Sequence, residues 1–231
     1  MKDICVNMIV RDEGQFLEPC LRQVIPYVSR VLIAVDNRSI DNTKEIVERL
    51  SKEFDNVFPE YFDVGESWAY DLPRVLNSLL KKTTEKWVWS LDGDEYYTND
   101  NIERLIERLK EDVPGEDAYA FKFWYLIDKK HILCAKQGIG ILERVFRNSP
   151  VLHWVGTFPG THLHDDKQHL WYQKTERAKK FPEVEYVHFS LLKNKSWRKD
   201  AGLIHPIAED DTRKLEVPDW VQKVVNKVYE N

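Results

Sequence analysis

Asp92-Gly93-Asp94, with Glu95 directly behind, is the stretch of this sequence best equipped for chemistry. It follows Trp87-Val88-Trp89-Ser90-Leu91, a bulky apolar run that reads as a buried strand. Strand side chains repeat every two residues, so Asp92 and Asp94 are expected to point the same way if strand geometry continues through them. Gly93 between them lets another group approach the backbone closely. Two aligned carboxylates at the C-terminal edge of a parallel sheet lie where α/β folds bind ligands. They suit a hard divalent cation, Mg2+ or Mn2+, which prefers oxygen donors and keeps positions open for phosphate. The plainer reading is a turn begun by Asp92.

A second stretch runs Val35-Asp36-Asn37-Arg38-Ser39-Ile40-Asp41-Asn42-Thr43. Asp36, at the end of an apolar run, either accepts hydrogen bonds from a nucleobase or ribose or begins a turn with Asn37. Asp41 and Asn42 read as helix caps, and Asn42 with Glu45 three residues on forms a capping-box pattern.

The elements that must carry these residues alternate between strand and helix. Residues 4–10 and 31–35 are continuous apolar runs, as expected for strands covered on both faces. Phe16, Leu17, Cys20, Leu21 and Val24 fall at helical spacing up to Pro26, and Ile46, Val47, Leu50 and Phe54 form the next helical stripe. A short strand over 57–62, weakened by Pro59, precedes a helix over 72–80. Ile102, Leu105, Ile106 and Leu109 then share one face of a helix closed by Pro114-Gly115. This alternation predicts an α/β fold with a mostly parallel central sheet flanked by helices. Beyond residue 117 the pattern changes to strands over 118–127, 138–146 and 184–192, with a turn-rich, histidine-rich segment over 150–171 and an amphipathic helix from Trp220 to Val228. With no repeat, linker or low-complexity tract, residues 1–231 read as a single domain.

Composition narrows the field further. Hydrophobic residues at 42% and charged residues at 32% support a buried core. A net charge of −5 argues against gripping nucleic acid through its phosphates. Cys5, Cys20 and Cys134 are odd in number and form no Cys-x-x-Cys pair, which disfavours a disulfide scaffold or a thiolate zinc site and fits reduced, cytoplasmic thiols. His153, His162, His164 and His169 lack a recognised zinc spacing. No run approaches the roughly 20 apolar residues that span a bilayer, so membrane contact is expected to be peripheral at most.

Three motifs together carry a family resemblance. The opening Asn7-Met8-Ile9-Val10-Arg11-Asp12-Glu13-Gly14, the stretch from Val35 to Thr43 and Leu91-Asp92-Gly93-Asp94-Glu95 resemble, in order and spacing, the motifs of family 2 glycosyltransferases. The likeness covers residues 4–110 well and the rest loosely. It implies a GT-A fold, whose residues 1–110 would bind a nucleotide-diphospho-sugar and whose residues 111–231 would face the acceptor. It also implies a bridging Mn2+ or Mg2+. Carried over by motif, Val10, Arg11, Glu13 and Asp36 would line the base and ribose pocket, with Arg74 and Gly93 beside the nucleotide. Asp92 would face ribose or metal, Asp94 would be the main metal ligand, and His188 would complete the metal shell. Glu143-Arg144-Val145-Phe146-Arg147 is similar to a family strand that precedes a His-Glu segment. Its counterpart here is His164-Asp165, which makes Asp165 the expected catalytic base, with Asp166 and Glu95 as rivals.

The activity so implied is metal-dependent, inverting transfer of a hexosyl or deoxyhexosyl group from a nucleotide-diphospho-sugar to a carbohydrate or lipid-linked acceptor. Nucleotidyl transfer, or a non-catalytic binding module of the same fold, are the alternatives. The first lacks a glycine-rich, lysine-bearing phosphate loop over residues 10–20. The second has little reason to keep Asp92-Gly93-Asp94. Trp68, Trp154, Trp171 and Trp197 are candidate sugar platforms or core residues. Lys179-Lys180 and the stretch from Lys193 to Lys199 are either a solvated face or an attraction for an anionic acceptor or membrane.

Overall fold

The computed structural model describes residues 3–63, 68–126, 128–133, 140–157, 161–165, 178–189 and 214–229. Its first half is built from β1 (Ile4–Val10), α1 (Leu17–Val24), β2 (Arg30–Asp36), α2 (Thr43–Glu53), β3 (Val57–Phe62), α3 (Trp68–Lys82), β4 (Trp87–Ser90), β5 (Glu95–Tyr97) and α4 (Asn99–Glu111). The second half adds β6 (Ala118–Tyr125), β7 (His131–Leu133), β8 (Gly140–Arg147), β9 (His153–Val155), β10 (His162–His164), β11 (Ala178–His188), β12 (Lys214–Glu216) and α5 (Asp219–Tyr229).

Eight strands form one sheet in the order β3-β2-β1-β4-β8-β6-β11-β5, and β9–β10 and β7–β12 are separate antiparallel pairs. The four strands from β3 to β4 are parallel, as is β6 with β11, while β4–β8, β8–β6 and β11–β5 are antiparallel. The expected α/β class and parallel core are therefore present, with an antiparallel admixture contributed by β8 and β5.

Hydrophobic burial explains the first half directly. Leu17, Cys20, Leu21 and Val24 of α1 and Ile46, Val47 and Leu50 of α2 are buried, as their spacing requires. Pro59 is tolerated because β3 is the sheet edge, where a missing N–H leaves no neighbour unpaired. Helix α3 begins at Trp68, a turn earlier than the spacing of Leu72 to Leu80 suggests. Pro73 is the sixth residue of α3, near its start; it forfeits the hydrogen bond back to residue 69, and the helix continues through it. Thr98 caps α4 by accepting from the Asn101 N–H at 3.3 Å. In the second half, β11 starts at Ala178 rather than Val184, and its pairing with β6 slips between Lys180 and Glu185, around Pro182. Helix α5 buries Val221, Val224, Val225 and Val228 against Phe16, Cys20, Tyr96, Val187 and Phe189. No helix among the described residues is long and apolar enough to cross a membrane.

Candidate functional site

The chain leaves β1 outward for β2 and β3, then returns across β1 to β4. Such a reversal opens a crevice at the C-terminal ends of the two central strands. Val10 ends β1, Asp36 ends β2, and the turn carrying Asp92, Gly93 and Asp94 follows β4, so all of them line this edge.

Two loops close the β2 side of the crevice. The Glu13 N–H donates to Thr43 Oγ1 and the Gly14 N–H to Asp41 Oδ2, each at 2.8 Å. Asp41 Oδ1 also accepts from the Thr43 N–H at 3.0 Å. Asp41 thus caps α2 and ties it to the β1 loop, whereas the capping bond expected from Asn42 is not made. A Cβ on Gly14 would fall 1.9 Å from Asn42 Oδ1, so any other residue here would have to displace the Asn42 side chain. Asp36 is fully buried. Its Oδ1 accepts from the Arg38 N–H at 2.9 Å, and its Oδ2 lies 3.6 Å from Arg11 Nε and 3.4 Å from Arg38 Nη2.

The β4 side differs from expectation in one respect. Strand geometry stops at Ser90, and the Glu95 N–H donates back to the Asp92 carbonyl at 3.3 Å, closing a turn. Asp92 and Asp94 therefore do not share a strand face: the Asp92 side chain is 42% exposed, and that of Asp94 is fully buried. Gly93 lies against the β1 loop, where an added Cβ would meet Glu13 Cγ at 3.0 Å and Val10 Cγ1 at 3.2 Å. Pairing of β5 with β11 sets His188 opposite Glu95. As a result, donor atoms of Asp92, Glu95 and His188 lie within 4.8 Å of one another. His188 Nε2 is also 3.3 Å from Asp94 Oδ1.

Arg144 of β8 reaches the same cluster, donating through Nη2 to Asp92 Oδ2 at 2.9 Å and to Glu95, and through Nε to the Tyr186 hydroxyl at 3.3 Å. Tyr97 and Tyr186 stack, Trp89 lies edge-on to Tyr97, and the Arg144 guanidinium carbon is 5.9 Å from the Tyr186 ring centroid, while Asp92 stays partly open to solvent. Burial, reinforced by Asp92 and Asp94, pushes the Glu95 carboxyl well above the usual carboxylate range despite Arg144. Burial alone would weaken the charge on Arg144, but Asp92 and Glu95 outweigh it and hold the guanidinium firmly protonated. Three crowded carboxylates beside an imidazole are a donor set that a divalent cation of the Mn2+ type fits, since it would relieve the repulsion among them. Glu95 as a donor and Arg144 as its partner are what reading the sequence missed. Arg144, charged and directly before the apolar Val145-Phe146, was the available signal.

The remaining candidates are more dispersed. Arg74 is 60% exposed, pairs with Asp71 one turn earlier at 3.1 Å and donates to the Asp63 carbonyl at 3.3 Å, near the end of β3. Asp165 is half-buried directly after β10, in the hairpin that Asn77 of α3 fastens through both the N–H and the carbonyl of Trp154. Trp154 packs edge-on against Phe146, as a core residue does. The side chain of Trp68, and Cys134, Asp166, His169, Trp171 and the residues from Lys193 to Lys199, lie outside the described residues.

Comparison with known proteins decides the family. The model for "Glycosyl transferase family 2" matches residues 5–120, half of the chain, and takes in every motif of the crevice up to Glu95. The chain belongs to glycosyl transferase family 2. Among family relatives, the prophage-derived glycosyltransferase SunS of Bacillus subtilis is 26% identical over 104 residues, 45% of this chain and 23% of SunS. A TPR repeat-containing protein of Synechococcus elongatus is 27% identical over 153 residues, 65% of this chain and 33% of that protein. The matched region thus spans a third or less of the length of these relatives. The crystal structure of S. aureus TarS residues 1–349 superposes with a TM-score of 0.53 at 12% identity, covering 81% of this chain and 60% of that one. The fold is the GT-A fold of this family's members.

Proposed function

We propose that this family 2 protein is a metal-dependent, inverting glycosyltransferase that moves a hexosyl or deoxyhexosyl group from a nucleotide-diphospho-sugar to a carbohydrate or lipid-linked acceptor. The observation that carries the reading is the convergence of Asp92, Glu95 and His188, with Asp94 beside them, at the crevice where the sheet reverses. Asp92, Glu95 and His188 would hold the cation, with Asp94 as a further ligand from the same turn. A divalent cation there supplies Lewis acidity to the diphosphate leaving group.

The chain's own residues divide the remaining work. Asp36, at the end of β2, accepts hydrogen bonds from the ribose or base, with Val10, Arg11 and Glu13 forming the neighbouring wall. Arg74 stands at the outer, nucleotide side. Gly93 keeps the turn close to the β1 loop so that both walls face one ligand. Cleavage at the anomeric carbon passes through an oxocarbenium-like state, and the acceptor hydroxyl must lose its proton as its oxygen attacks from the opposite face. Asp165, after β10, is the carboxylate proposed to accept that proton.

Titration calorimetry of UDP, GDP and TDP, each with and without Mn2+, tests the proposal. One of the three is expected to bind only with the metal, and that binding is expected to weaken strongly in Asp94→Asn. No binding of any nucleotide, with the protein folded, would replace the reading with a non-catalytic module.

A further inference from the structure

Arg144 sits where β8 departs from regular pairing. Tyr119 of β6 pairs with Val145 and Ala120 pairs with Glu143, so Arg144 is the extra residue of a bulge. Bulges next to active sites re-aim a side chain that regular alternation would have sent elsewhere. Here the re-aimed side chain is a guanidinium with only 9% of its surface exposed. It bridges two carboxylates that come from the turn between β4 and β5, and its Nε is fixed in turn by the Tyr186 hydroxyl of β11. Three strands that are not neighbours in sequence therefore meet at one planar group. These carboxylates, Asp92 and Glu95, are two of the three residues whose donors converge with His188.

We infer that Arg144 is a positioning residue of the cation site, fixing Asp92 Oδ2 and Glu95 Oε1 so that the two carboxylates keep the orientation in which their donors converge with His188. The inference rests on the metal-dependent reading given above and adds a residue to it. The chemistry asks for arginine: a planar fork donates to two carboxylates at fixed directions, while a lysine ammonium is a shorter-reaching point charge. Asp92, whose side chain is otherwise half open to solvent, has the most orientation to lose. Partners behind a metal ligand are typically worth about 10–100-fold in metal affinity.

The test compares Mn2+ affinity of the wild-type chain with Arg144→Lys and Arg144→Gln, by calorimetry without nucleotide, on variants checked for native circular dichroism. Both are expected to bind Mn2+ at least about tenfold more weakly, with lysine failing to rescue although it keeps the charge. Unchanged affinity in a folded Arg144→Lys chain overturns the inference, and so does tighter binding in Arg144→Gln, the result of a purely electrostatic role. If neither variant folds, the Arg144 guanidinium N–H signals of the wild type decide during a Mg2+ titration. Signals that stay hydrogen-bonded and shift with the metal support positioning, whereas release to fast exchange overturns it. Mn2+ binding that survives Arg144→Lys removes this inference alone. A wild-type chain that binds no Mn2+ removes the metal-dependent reading and the inference with it.

Discussion

Asp36 and Glu95 are both fully buried carboxylates on the same sheet edge, each paired with arginine, yet their surroundings differ in the balance of charge. Asp36 faces arginines: Arg11 from the end of β1 and Arg38 two residues along, whose N–H it also accepts. Glu95 has a single guanidinium, Arg144, which it shares with Asp92, and burial together with Asp92 and Asp94 still pushes its carboxyl up. Burying a charge is costly unless it is paired and hydrogen-bonded. At the β2 end the chain supplies the pairing from its own neighbouring residues, which makes a settled hydrogen-bonding pocket. At the β4 end three carboxylates have one guanidinium among them, and one of the three, Asp92, stays partly open to solvent. One edge thus carries two buried carboxylates in different electrostatic settings.

Asp165 belongs to neither pocket, so Asp165→Asn should lower kcat by about 10²–10⁴-fold while Mn2+ and nucleotide affinities stay level. Full turnover in that variant would move proton acceptance to the crowded end, with Glu95 the first residue to try. Asp94→Asn should weaken Mn2+-dependent nucleotide binding by about 10–100-fold or more, measured by calorimetry, with the melting temperature little changed. Loss of folding instead would mean that the buried Asp94 carboxylate serves the fold, beside His188 of β11, rather than a ligand. Asp36→Asn acts on the other pocket: nucleotide affinity should fall by about tenfold, roughly 1.4 kcal/mol, at unchanged Mn2+ affinity. A change in Mn2+ affinity there would erase the distinction between the two ends. The smallest effect is expected for Arg74→Ala, about fivefold or less in nucleotide affinity, because an exposed ion pair contributes at most about 1 kcal/mol. A larger loss would extend the nucleotide pocket out to α3.

Much of the β2 pocket was readable in advance. Val35-Asp36 ends an apolar run, and Asp41-Asn42-Thr43 precedes a helical stripe, so the placement of these residues follows from local periodicity. Only the division of labour differed, with Asp41 rather than Asn42 making the capping bond, since a carboxylate can serve the Thr43 N–H and the Gly14 N–H through separate oxygens. The β4 pocket was half readable. Asp92 and Asp94 stood out by type and position, but their common orientation assumed a strand that stops at Ser90. His188 was identified through family resemblance, whereas its pairing opposite Glu95 depends on a strand from the far end of the chain.

By itself, the sequence determined the α/β class, the parallel strands β1 to β4 with their helices, and the crevice edge on which Asp36 and Asp92 lie. Those features arise from apolar runs and helical stripes that each segment carries independently of the others. Tertiary structure alone decided that Asp92 opens to solvent while Asp94 is buried, that Glu95 meets His188, and that a bulge at Arg144 brings a guanidinium onto both carboxylates. Each depends on the register between strands distant in sequence, where a slip of one residue sends a side chain to the other face, and periodicity within one segment carries no record of that register.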